Sequence, residues 1–138
     1  MNFLTAKLSV LLLLVMSSGT ALAAQWTTLW DLSGPEGSVT VSIDSASVRE
    51  YTSGGDRYMT YDLRIVIKNT SDEEVDRIVG YKVNCSDKVV WRTSAETTFS
   101  NHATSEELTI ANEDLGQLTG TEYDEFKPTM NRICRGNY

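Results

Sequence analysis

From residue 38 onward, apolar and polar side chains alternate with a period of two, the rhythm of strands that bury one face. In "SVTVSI", Val39, Val41 and Ile43 fall on one side and Ser38, Thr40 and Ser42 on the other. "YMTYDLRIVIK" sets Met59, Tyr61, Leu63, Ile65 and Ile67 against Tyr58, Thr60, Asp62, Arg64 and Lys68. Between them, Ser53-Gly54-Gly55-Asp56 reads as a hairpin turn. The polar, acidic "KNTSDEEVD" reads as a loop, and a strand from Ile78 to Cys85 follows with Val79, Tyr81, Val83 and Cys85 on one face. Ser86-Asp87-Lys88 turns the chain into a strand from Val89 to Phe99, with an inward set of Val89, Trp91, Thr93, Ala95, Thr97 and Phe99. "WTTLWDL" and "EELTIANEDL" predict two further strands.

The period changes at the C-terminus. Pro128 suits the first turn of a helix, where its missing N–H costs nothing. Met130, Ile133 and Cys134 then share a face, and Gly136 stands where a helix stops. So short a helix is unstable alone in water and needs the sheet.

The chain begins differently. Lys7, an apolar run from Leu8 to Met16 and the small-residue end Ala21-Leu22-Ala23 have the make-up of a secretory signal peptide. The run is too short for a membrane span, which takes about 20 residues. Residues 1–23 are therefore expected to be a signal peptide and 24–138 a single domain, exported to the periplasm, the cell surface or the medium. No cysteine follows the apolar run, so no lipid anchor is expected. Loss of Lys7 moves the formal charge from −7 to −8. That balance speaks against nucleic acid and anionic membrane as partners, both of which call for a basic surface.

Export bears directly on the two cysteines. In an oxidising compartment they pair, and Cys85–Cys134 is the predicted disulfide. Zinc would need four ligands where His102 is the only histidine, and the spacing is no C-x-x-C redox motif. A catalytic thiol would want a positioned imidazole, which "FSNHATSEE" does not supply. The bond staples a weak helix to the apolar face of the sheet.

A three-residue loop at 86–88 would pair Val83 with Trp91 and set Lys82 opposite Arg92 on the outer face. Like charges facing across a ladder repel. Either Asp62 or Glu96 compensates, or Lys82 and Arg92 await an acidic partner, which makes them the candidate binding residues. The carboxylates at Asp72, Glu73, Glu74 and Asp76 lack the alternating pattern of a calcium loop and read as a solvated turn. Asn69 and Asn84 head N-x-S/T patterns, the glycosylation acceptor pattern. No metal site, cofactor motif or catalytic constellation is predicted. Trp91 has core parity, while Trp26 and Trp30 suit edge packing.

Several of these features together resemble the surface-adhesin protein E family of small exported bacterial proteins. They are Trp26, "VSIDSASV", the "NCSDKVVWRTSAETTF" hairpin, and "FKP" leading into a helix that ends at Cys134. The resemblance implies an α+β fold: one antiparallel sheet of about six strands with a C-terminal helix disulfide-linked to one face. It also implies a non-enzymatic module whose partner is a protein, such as a host matrix or serum protein. Fold alone does not carry function. An alternative is a periplasmic inhibitor or immunity-type protein that neutralises a basic enzyme such as lysozyme or a competitor's toxin. A third is an accessory protein that binds an envelope neighbour.

Overall fold

A computed structural model describes residues 23–138; the predicted signal peptide lies almost wholly outside the described residues. The strands are β1 (Trp26–Gly34), β2 (Gly37–Asp44), β3 (Arg49–Ser53), β4 (Asp56–Asn69), β5 (Glu73–Asn84), β6 (Val89–Asn101), β7 (Glu106–Ala111) and β8 (Gly116–Gln117). They end in helix α1 (Gly120–Cys134). All strands join one antiparallel sheet in the order β1-β2-β4-β5-β6-β7. The short β3 and β8 add to β4 and β6. The fold is α+β, with six principal strands and the helix on one face, as expected.

β2 and β3 both pair with β4, separated by a 3-10 turn at Ser45–Ser47. Asp44 builds this break by accepting from the backbone N–H groups of Gln25 and Ala46. Ser47 Oγ donates to the Asp44 carbonyl and accepts from the Asp62 N–H. The turn in "VSIDSASV" is therefore held by its own polar side chains.

Two boundaries differ from expectation. β5 starts at Glu73 rather than Ile78, because the turn after β4 is tight. Asn69 Oδ1 accepts from the N–H groups of Ser71 and Glu73, so few residues are needed to reverse the chain. α1 starts at Gly120, placing Pro128 inside the helix instead of in its first turn. The proline faces solvent. Tyr123 and Phe126, on the N-terminal side of the proline, pack against the core and hold the helix despite the donor that Pro128 removes. Gly136, at φ +77°, ends the helix as its position suggested.

The core lies between α1 and half of the sheet. Ile43, Met59, Leu63, Val79, Val83, Val90, Met130 and Ile133 are fully buried there. The Cys85–Cys134 disulfide is formed, with 5.8 Å between Cα atoms. Trp30 donates from Nε1 to Thr129 Oγ1 at 3.0 Å, and the Arg132 guanidinium lies 4.9 Å from the Trp30 ring centre. Trp30 therefore clamps the helix to β1. Phe126 stacks on Tyr81 at 4.5 Å. The neighbouring Tyr61 is 2% exposed, and its hydroxyl has no hydrogen-bond partner among the described residues. An orphaned buried hydroxyl costs about 1–3 kcal/mol. Tyr61→Phe is thus expected to raise the melting temperature, as measured by thermal unfolding of the oxidised protein.

Candidate interaction surface

The structure separates the two candidate binding residues. β5 and β6 join through a four-residue turn organised by Asn84, whose side-chain oxygen accepts from the N–H groups of Ser86 and Asp87. The register becomes Val83 opposite Val90, Lys82 opposite Trp91 and Tyr81 opposite Arg92. A bulge at Thr93 then restores the expected parity, with Val79 opposite Ala95. Ala95 and Thr97 point inward as predicted, whereas Val90 and Arg92 take the inward places assigned to Val89, Trp91 and Thr93. The local signal for the bulge was Gly80, a glycine within a strand. A Cβ there would run into the Ser94 hydroxyl on the bulged strand, which would have to turn away.

Arg92 is consequently a buried structural group. Its guanidinium pairs with Glu122 in the first turn of α1 and donates to the Asp114 carbonyl at 2.8 Å. The compensating carboxylate comes from the helix, not from Asp62 or Glu96. Asp62 makes no ion pair among the described residues, and burial, reinforced by Asp44, holds its carboxyl above the usual range.

Lys82 lies on the outer face, 5.1 Å from the Tyr58 ring centre and 5.4 Å from that of Trp91. Tyr51 stacks on Tyr58 at 5.2 Å. Trp91 is therefore an outer-face residue, contrary to its predicted core parity. Tyr51 and Tyr58 thus cover one face of each other, and Lys82 lies against Tyr58 and Trp91, while Tyr51 stays 41% exposed. Elsewhere on that face Arg64 pairs with Asp76, Lys68 and His102 meet Glu74, and Thr98 meets Thr109. The acidic stretch is thus divided, with Glu74 and Asp76 on the outer face. The Asn84 amide is buried and hydrogen-bonded to Asp56.

The opposite face is different beyond the helix. Strand register places Leu32, Val39, Ile67, Val75, Phe99 and Leu108 side by side, one from each principal strand. They face the same side as α1, but the helix does not reach them. Leu32, Ile67, Phe99 and Leu108 are 68%, 42%, 42% and 60% exposed. Ile43, Leu63, Val79 and Ala95, four residues along the strands, are at most 5% exposed.

A second row, Trp30, Val41, Ile65, Arg77, Thr97 and Ile110, runs between the apolar row and the helix. Arg77 is partly buried; its Nε has no hydrogen-bond partner, and it joins no ion pair among the described residues. A cleft lined by Arg77, Ile65, Phe126 and Glu125 opens at the helix edge. On the turn side of the apolar row, Glu73, Asn101 and Glu106 form a third register line on the same face. Glu73 accepts from Asn69 and Glu106 from Thr104, but neither meets a cation among the described residues. Sequence alternation put Val39, Ile67 and Phe99 on this face, but it read Val75 as loop and gave Leu32 and Leu108 no face. It did not show that the helix stops short of half of that face.

The fold and surface define an open-faced antiparallel sheet with one disulfide-pinned helix. No family model, curated protein or solved structure matches the chain. Among the described residues no helix is long and apolar enough to cross a membrane, and no cluster of side chains could hold a metal ion.

Proposed function

We propose that this is a non-enzymatic, exported protein-binding module that engages its partner through the uncovered half of the helix-side face. The observation that carries this is the cross-strand row from Leu32 to Leu108. Its apolar side chains are contiguous across all six principal strands and four of them are exposed. Contiguous exposed apolar surface of this kind marks interaction sites. The resemblance to the adhesin E family favours a host matrix or serum protein as the partner, reached from the cell surface. A second role, inhibition of a basic enzyme in the periplasm, is favoured by Glu73 and Glu106, which rim the row without cations of their own. An acidic rim steers a cationic target toward the apolar centre.

The test is capture by oxidised protein comprising residues 24–138, using immobilised host matrix proteins and, in parallel, cell-envelope lysate. Ile67→Asp combined with Phe99→Asp is expected to abolish capture while leaving the melting temperature within a few degrees, because both side chains are already 42% exposed. Undiminished capture by the double variant would move the site elsewhere.

A further inference from the structure

The charge and dimensions of the open half suggest what part of a partner it accepts. We propose that it takes an amphipathic α-helix, laid across the strands along the Leu32–Leu108 row, with basic residues on the flank facing Glu73 and Glu106. This rests on the protein-binding role above and names the partner's element.

Backbone chemistry selects a helix. An extended segment lying across this face would leave its N–H and C=O groups over apolar side chains, with nothing to pair them. An extended segment would instead add to a free edge at β1 or β7 and leave the row untouched. A helix satisfies its own backbone and presents side chains alone. The row crosses five inter-strand spacings of about 4.8 Å, or about 24 Å. A helix rising 1.5 Å per residue spans that in about 16 residues.

There is also room. The apolar row lies four residues along the strands from the row beneath α1, about 14 Å at the rise of an antiparallel strand. Packed helices need 8–10 Å between axes. A second helix would complete a layer that α1 begins.

Charge sets the flanks. Glu73 and Glu106 bound the row on the turn side, and Arg77, which joins no ion pair among the described residues, stands between the row and α1. The complementary helix carries an apolar stripe with lysines or arginines on one flank and a carboxylate near the middle of the other. A second copy of this chain would bring the same carboxylates to the contact and add to the repulsion of a net charge of −7.

Two synthetic 18-residue peptides test this. They share a leucine stripe at helical spacing and a central glutamate, and differ in bearing a lysine or a glutamate flank. Each is titrated into oxidised, methyl-labelled protein. The lysine-flanked peptide is expected to gain helical circular dichroism and to shift the methyls of Leu32, Val39, Ile67, Val75 and Leu108. The outer-face methyls of Val66, Ile78 and Val89 should stay still. Phe99→Asp should weaken binding at least tenfold, and Glu73→Lys with Glu106→Lys should reverse the preference between peptides. Equal affinity for both peptides, binding without helix formation, or self-association at the expense of peptide binding would overturn the proposal. If neither peptide binds while capture still depends on Ile67 and Phe99, the helix is wrong and the protein-binding role stands. Loss of that dependence would remove the role itself.

Discussion

Cys134→Ala is expected to destabilise the domain by about 4 kcal/mol and to expose its last ~10 residues to protease. The bond closes a loop between residues 49 apart, and chain entropy alone supplies a term of that size. In a domain of this length, total stability is about 5–15 kcal/mol. The helix has little stability of its own, since 15 residues with an internal proline are marginal in water. Its other fastenings are non-covalent, the Trp30 clamp among them. Arg132 meets the Leu29 carbonyl, Arg57 donates to the Cys134 carbonyl, and Met130 and Ile133 sit in the core. Loss of the disulfide should therefore fray the end first and lower the melting temperature of the whole. Limited proteolysis with mass spectrometry reads the first effect and calorimetry the second. An equally protected tail in the variant would show that packing alone holds the helix.

Arg92→Glu is expected to cost about 3–5 kcal/mol, whereas Lys82→Glu should change stability by about 1 kcal/mol or less. The contrast follows from the bulge. The Arg92 side chain is 5% exposed beside a Glu122 that is 53% exposed. Glu122 is well solvated, so the pair gains little from the solvent side. The reversed charge would nevertheless leave one carboxylate buried and a second facing it. The Asp114 carbonyl would also lose its donor. Lys82 has no such partner to strand; it loses only its contacts with Tyr58 and Trp91. Denaturant unfolding of the two single variants separates them. Equal destabilisation would contradict the opposite-face placement.

Most of the architecture was legible because strand alternation is a local property. Met59 to Ile67 and Val39 to Ile43 face the predicted side, and Cys85 and Cys134 meet where a half-buried strand and a helical stripe would put them. Arg92 was misplaced because one inserted residue reverses parity on one side of it. Gly80 was the only local sign. Pro128 similarly looked like a helix start because its missing donor is tolerated best there. The upstream turns depend on the tertiary contacts of Tyr123 and Phe126, which no local rule reports. The candidate surface was least legible of all. Ile67 and Phe99 carry the same pattern as buried neighbours, Val75 was hidden in a stretch that reads as loop, and only the reach of α1 decides which rows are covered.

The most direct test of the proposed surface is side-chain oxidative footprinting of the protein with and without its captured partner. Protection of Leu32, Phe99 and Leu108, with Tyr51, Tyr58 and Trp91 labelled as in the free protein, is the predicted result. Protection of the Tyr51–Trp91 face, with Phe99 and Leu108 labelled as before, would contradict it.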